Sequence, residues 1–559
     1  MRLQCADGRW VDFDHGNFLA QGGQGTVHVF DQHAHKIFFE PSQCPTRGKM
    51  EALAQIRDAR VMAPIAPLID ATSKIRGYTM PLVKDAFPLC RFIPFGVRQR
   101  EGITPEKVTT WVSAMADIVR NIHRAGVVVV DLNEMNVLMT ESDPMVFFID
   151  VDSYQTQHFS ATALSDTVRD RHMGPKGFGE DTDWFSFAVV SSQLFMGMHP
   201  YRGRHPHLHG LDARMHAHAS IFDHGVTCPS QTGPSCPMPS GLRQWYRAIF
   251  EGRTRQAPPQ DLGAMTVRTS PELDQFHQLQ MEVDQTYDSR VRYWGRRNEN
   301  TIVVTEAYVY VNGHQVGRAP SGQIECGFSR VHDRPVLASW SSMGGLTLWD
   351  PLRDQTLAFD MSVTGLTSHR GQLYALAGHR LLGLNCVEVG SDIVIVPKTT
   401  ATVRRHGTQI CRGVAVQTVL GSVYFTLLEV DGVVTMHWPE LDGARIIDAL
   451  YESGVLWVLS YTDNQYTRWT IRVQSPVGRT HIEQEQLESP CALDGVVLDA
   501  GIVVQRTQSD CLKLTHRDPR RSEQRTVSTP AHTAEMKLFA RGASLGFVRG
   551  AQVGTLRMR

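Results

Sequence analysis

The sequence predicts a multidomain chain: an α+β domain over residues 1–268, a helical connector over 269–299, and an all-β domain over 300–559. The last reads as a β-propeller of about six or seven blades. Three observations predict this. Strand-like and helix-like apolar periodicities alternate up to about residue 270, and the helical period stops after Arg290. From there to the C-terminus, turn dipeptides recur at roughly 40-residue intervals, the spacing of propeller blades. A pair of β-sandwiches is the plainer reading of the same pattern.

The elements follow in order. Residues 19–30 (LAQGGQGTVHVF) place Gly22, Gly23 and Gly25 before Val27 in a strand pattern. A hairpin this rich in glycine lets backbone N–H groups close over phosphates without side-chain obstruction. Alone it is also an ordinary turn. Lys36 follows inside an apolar strand (HKIF) and needs a partner, because an unpaired buried ammonium is costly. Residues 104–125 predict a helix. Thr104 caps it, Pro105 opens it, and Val108, Trp111, Val112, Met115, Ile118, Val119 and Ile122 form its apolar stripe. Residues 127–130 and 146–149 predict two short strands, each handing an aspartate (Asp131, Asp150) to a loop. Residues 184–196 are apolar nearly all round and predict a buried helix. Residues 269–291 predict the helical connector.

In the C-terminal half the turn signals include Asn312-Gly313, Arg370-Gly371, Asp494-Gly495 and Arg549-Gly550. Trp349-Asp350 ends a strand pattern, and Trp349, Trp438, Trp457 and Trp469 are expected in the sheet cores.

Composition bounds the function. Lys+Arg number 56 against Asp+Glu 57, a net charge of -1, so a polyanion such as nucleic acid is not favoured as partner. No apolar run approaches the ~20 residues of a membrane helix, and the N-terminus lacks the pattern of a signal peptide. The 10 cysteines are scattered without a CxxC pair, which reads as reduced thiols in a cytoplasmic protein. The His-rich tract from His199 to His224 lacks a regular ligand frame and reads as a solvated loop rather than a zinc site.

The chemistry lies in three ordered motifs. After Lys36 comes VVVVDLNEMNVLM, with Asp131 and Asn136 in a D-x4-N spacing, and then IDVDSYQ, with Asp150 and Asp152. A carboxylate to orient a hydroxyl, an amide and a carboxylate for Mg²⁺, and a lysine for phosphate are the parts that phosphoryl transfer requires.

This order resembles a protein kinase. GYTMPLV (77–83), VVDLNEMNVL (129–138) and IDVDSYQ (149–155) are similar to a bacterial and phage group of Ser/Thr kinase-like proteins associated with tellurite-resistance-type gene clusters. The resemblance covers residues 10–260. It implies a bilobal fold, with a small lobe over 1–83 and a large lobe over 84–268, that binds ATP with Mg²⁺ (or Mn²⁺). It implies that Gly22, Gly23, Gly25 and Val27 cover the nucleotide and that Lys36 holds its α/β-phosphates, paired with Glu51. Met80, Pro81, Leu82 and Val83 would form the adenine-contacting hinge. Asp131 would be the catalytic base, with Asn136, Asp150 and Asp152 as metal ligands, while Asp183 would brace the catalytic loop. The group's context also implies a phosphatase partner, and the propeller would recruit a protein substrate or partner. The family's His-Arg is Val129-Val130 here, nothing matches its Ala-Pro-Glu, and Asp170 is a poor stand-in for the carboxylate that would pair with Arg255. Two other readings stay open: a nucleotide-binding pseudokinase scaffold, and a small-molecule kinase.

Overall fold

Short strands and helices build the N-terminal part of the chain, and four-stranded sheets dominate the described residues of the C-terminal part. The computed structural model describes residues 1–14, 16–140, 145–174, 177–228, 236–260, 265–266, 279–341, 345–429, 432–473, 481–499, 501–507, 511–518, 524–527, 536–542 and 544–558. They fall into two compact units, one formed mainly by Met1–Asp14 and Gln21–Asp274, the other mainly by Gln275–Leu487 and Leu493–Arg559.

The first unit opens with a sheet whose strands run in the order Trp10–Asp12, Arg2–Gln4, Ala66–Ile69, Ile75–Pro81, His33–Phe38, Gly25–Phe30. The strand His33–Phe38 is buried from Ala34 onward and pairs on both sides, Lys36 facing Val27 in one neighbour and Tyr78 in the other. A Cβ on Gly77 would stand 2.0 Å from the Lys36 carbonyl oxygen, so only glycine lets these two strands approach. The short helix Arg47–Leu53 is capped by the Thr46 hydroxyl, which accepts from the Lys49 N–H.

A three-stranded sheet follows, in the order Val146–Phe148, Val137–Thr140, Ala86–Pro88, with three main helices. Pro105–Arg124 buries the predicted stripe from Val108 to Ile122 and is capped by Thr104. Glu180–Met196 is buried at every position from Thr182 to Met196 and packs against both Pro105–Arg124 and Ser240–Phe250. Its buried serines cost little, since Ser186, Ser191 and Ser192 donate to carbonyls of their own helix. Residues 127–130, expected as a strand, make only an isolated bridge between Val128 and Gln155. The amides of Val129 and Val130 are engaged by a side chain instead, as described below. No described helix is long and apolar enough to cross a membrane.

The second unit consists, among the described residues, of seven four-stranded antiparallel sheets, an arrangement compatible with a propeller-like domain. Six are meanders, over 291–318, 323–357, 365–402, 408–437, 445–487 and 495–527. The seventh combines Lys537–Arg541, Ser544–Arg549 and Gln552–Met558 with a strand from the other end of the unit, Leu279–Thr286. This strand corrects the expected helical connector, whose residues 269–278 lie outside the described ones. Leu279, Met281 and Val283 satisfy a period of two as well as a helical spacing, and the unpaired edge of Gln552–Met558 decides between them. A Cβ on Gly554 would lie 2.2 Å from the Glu282 carbonyl oxygen, so the closing pair depends on glycine there.

Neighbouring sheets share cores. Val336, Ala338 and Leu348 of one sheet cluster with Leu373, Leu382 and Leu384 of the next. Trp438, Trp457 and Trp469 are buried, and Trp349 packs half-buried on the core of the first two sheets. Asn312-Gly313 and Arg370-Gly371 both turn with positive φ, as tight hairpins require. Asp494-Gly495, expected as a turn, instead leads into a strand.

Candidate functional site

Lys36 is carried into the protein by its strand, and its side chain is 8% exposed, so a partner is obligatory. It has two. Nζ donates to Asp150 Oδ1 at 2.5 Å and to both oxygens of Asp152 at 2.8 and 3.0 Å. Burial alone would depress the lysine, but the charges of Asp150 and Asp152 outweigh it and hold the ammonium above its ordinary range. The Tyr78 hydroxyl donates to Asp152 Oδ1 at 2.5 Å, and burial followed by the Asp152 charge keeps this phenol protonated well above its usual range.

One turn supplies both carboxylates. Strand Val146–Phe148 leads through Ile149 to Asp150, which has φ 61° and ψ 33°, the left-handed region that aspartate tolerates better than most residues. The Ser153 N–H and hydroxyl return to the Asp150 carbonyl at 3.1 and 2.8 Å and close a 3-10 turn over Val151–Ser153. The turn drives Asp152 inward, with its side chain 2% exposed, and leaves Asp150 42% exposed.

Asp131 and Asn136 form the second cluster. Asp131 Oδ1 accepts from the Ser165 N–H at 2.7 Å, and Asn136 Nδ2 reaches both Asp131 Oδ2 at 3.3 Å and its carbonyl oxygen at 3.2 Å. Burial raises the Asp131 carboxyl, hydrogen bonds from Asn133 and Ser165 oppose this, and the nearby charge of Asp150 adds to it. The Ile149 N–H donates to the Asn136 carbonyl at 3.0 Å, which ties the segment carrying Asn136 to the segment carrying Asp150. The two clusters are therefore one site.

Beneath it, Asp183 opens the buried helix and is fully buried. Its carboxylate accepts from the N–H groups of Val129 and Val130 at 2.7 and 2.8 Å and faces His123 Nε2 at 2.8 Å. Val130 has φ 64°, a strained conformation for a β-branched residue, and the two amide bonds to Asp183 hold it there.

The glycine segment precedes the strand Gly25–Phe30, while Met80 and Pro81 of the expected hinge end the strand Ile75–Pro81 and Leu82 and Val83 follow it. A Cβ on Gly25 would meet the Ile37 carbonyl oxygen at 2.2 Å, whereas Gly22 and Gly23 face open space. The Gly22 N–H donates to the Gly25 carbonyl at 2.9 Å. Val27, Leu82, Val83 and Ile149 are half-buried against Ala34 and Met80, so they form an apolar wall with an accessible side. Pro81 is half-buried opposite His33.

Three expectations change. Glu51 is exposed on Arg47–Leu53 and makes no bond with Lys36; that helix turns Lys49 inward instead, with Nζ 3.2 Å from the Ser160 carbonyl oxygen. Asp152, expected as a metal ligand, has both oxygens committed to Lys36 and Tyr78. Asp170 does pair with Arg255, through two bonds at 2.6 and 3.0 Å, so it is a full partner despite its sequence context. Tyr78 was missed; its signal was a tyrosine at an inward position of a strand beside Lys36. In the His-rich tract, His199 is buried with Nε2 on the Thr167 carbonyl, and His205 Nδ1 accepts from the amides of His207 and Leu208. Among the described residues no group of three or more His, Cys, Asp or Glu side chains is arranged to hold a metal.

Compared with models of protein families and with curated proteins, the chain matches none.

Proposed function

We propose that the chain is an ATP- and Mg²⁺-dependent Ser/Thr protein kinase whose C-terminal unit is a seven-bladed propeller that recruits its protein substrate. The observation that carries this reading is the convergence of Lys36, Asp150, Asp131 and Asn136 in one site, beside a glycine hairpin and an apolar wall.

Each part has a chemical task. The apolar wall of Val27, Ala34, Leu82, Val83 and Ile149 suits a purine base, and the open space at Gly22 and Gly23 suits phosphate oxygens. Lys36, kept charged, presents a fixed cation to them. Asp131, raised by burial and set by Ser165 and Asn136, orients a substrate hydroxyl and takes its proton. Asp150 bonds Lys36 through one oxygen and is 42% exposed, so with Asn136 it offers the hard oxygen donors that Mg²⁺ prefers. The ion, when bound, supplies positive charge to the transferring phosphoryl group. The propeller supplies a broad, rigid face for a partner and no phosphotransfer residue.

Incubation with labelled ATP and Mg²⁺ tests this reading. Label should appear on the chain itself or on a generic acceptor protein, and Asp131→Asn should abolish it. Absence of both label and ATP binding sinks the reading. ATP binding without label would favour the scaffold reading, whose support is the triply bonded Lys36, a lysine tied into the architecture.

A further inference from the structure

We propose that Asp152, oriented by Tyr78, is the positioning counter-ion of Lys36, so that the lysine is set by the turn that carries Asp150 and not by the helix Arg47–Leu53. The inference rests on the kinase reading for its consequence in nucleotide binding, but the pair itself is open to an independent test.

Geometry separates the two carboxylates. Asp152 holds the ammonium with both oxygens and is shut away from water, whereas Asp150 uses one oxygen and stands half open. The second bond to Asp152 Oδ1, from the Tyr78 hydroxyl, comes from the strand next to Lys36, so ammonium, carboxylate and phenol are fixed by two adjacent strands and one turn. A buried charge pair keeps a single geometry when its remaining lone pairs are satisfied, and Tyr78 supplies that bond. The helix offers no competitor: Glu51 is exposed, and Lys49, the buried residue of its polar set, brings a like charge and bonds the Ser160 carbonyl.

The consequence is regulatory as well as structural. A site whose lysine depends on a glutamate from a mobile helix can be switched by moving that helix. Here Asp150 and Asp152 are two residues apart, so the element that presents the exposed carboxylate also sets the cation. On this proposal the lysine is set by two strands and one turn, and Arg47–Leu53, which packs against that turn, supplies no bond to Lys36.

The test uses the full chain and four variants, Asp152→Asn, Tyr78→Phe, Glu51→Gln and Asp152→Glu, with two readouts. The first is acetylation of Lys36 by an N-hydroxysuccinimide ester, followed by peptide mass spectrometry, and needs no nucleotide. Asp152→Asn should speed it about tenfold, since the ammonium loses its bidentate partner, and Tyr78→Phe about two- to threefold in the same direction. Glu51→Gln should leave it unchanged, and Asp152→Glu should restore part of the protection. The second readout is steady-state kinetics with ATP. Asp152→Asn should raise KM for ATP about tenfold with a smaller change in kcat, which a purely structural loss would not divide that way. Equal acceleration in Glu51→Gln, or none in Asp152→Asn, overturns the proposal. If Asp152→Asn does not fold, Tyr78→Phe decides by the same acetylation measurement. A wild-type chain that neither binds nor uses ATP while showing the expected acetylation pattern defeats the kinase reading and leaves the counter-ion standing.

Discussion

Both units bury charge and use positive φ in their turns, but they differ in where strained backbone meets a buried carboxylate. In the second unit positive φ falls on turn residues such as Asn312-Gly313, Arg370-Gly371 and Asp463-Asn464, where it costs little. In the first unit it falls on turn residues such as Asp31-Gln32 and Ser73 as well, but also on Val130 and Asp150, each adjacent to or part of the candidate site. The second unit bonds its backbone through regular ladders. The first leaves the amides of residues 127–130 out of any strand and satisfies two of them with one buried carboxylate. The difference teaches where to look for chemistry: irregular backbone fixed by a buried charge is expensive, and here it surrounds the residues that phosphoryl transfer requires.

The regular unit should therefore break at its closure. A fragment beginning at Asn300 lacks Leu279–Thr286 and the strand Val291–Arg297, and it leaves the edge of Gln552–Met558 bare. We expect it to aggregate, while a fragment beginning at Gln275 stays monomeric. Light scattering of the two compares them directly, and equal solubility would show that the seventh sheet does not need its N-terminal strand. This moves the natural cut away from residues 290–300, where the sequence pattern placed it.

The irregular unit should break at its brace. Asp183→Ala removes the acceptor for Val129, Val130 and His123 inside a fully buried pocket, and about 3–5 kcal/mol should be lost. Urea unfolding monitored in the first unit measures it. A loss below about 1 kcal/mol would mean that water replaces the carboxylate.

Much of this was legible because it is local. The D-x4-N spacing, the buried helix from Trp184 to Met196 and the paired turn residues are patterns a short window contains. What escaped was decided by distant partners. Lys36 chose Asp152, 116 residues away, over the nearby Glu51, since no sequence window records which acidic group lies inside. The Arg255–Asp170 pair spans 85 residues and carries no spacing signal. Leu279–Thr286 became a strand because a ladder edge awaited it at the far end of the chain.

Acid should weaken both units by similar amounts for the same reason. His199 in the first is lowered from 6.5 to about 3 by burial and then by the Arg202 charge; His369 in the second is lowered to about 4 by burial and then by Arg370. Each is neutral when folded and gains a proton on unfolding below pH 6.5, so stability is present above that pH and is lost as the pH falls through the folded values. At pH 5 each should cost about 2 kcal/mol relative to pH 7.5. His199→Gln and His369→Gln should each remove about 2 kcal/mol of that pH dependence, in separate unfolding transitions. An unchanged pH dependence in either variant would mean that its histidine is already charged in the folded state.

The smallest effect bears most directly on the comparison, because it isolates strain from packing. Val129 and Val130 are neighbours, are 1% and 3% exposed, and give their amides to the same carboxylate. They differ in φ: only Val130 is in the left-handed region. Replacing either with glycine removes a buried isopropyl group and adds backbone freedom to the unfolded chain, together about 3 kcal/mol. At Val130 the same change also releases the clash between Cβ and backbone, which returns roughly 1–2 kcal/mol. Val130→Gly should therefore be milder than Val129→Gly by that difference in urea unfolding. Equal losses would mean that Val130 carries no strain, and the contrast between the two units would then rest on buried charge alone. If the proposed kinase activity is found, a milder Val130→Gly that loses it would place the strain where it acts, in fixing the direction from which Asp131 enters the site.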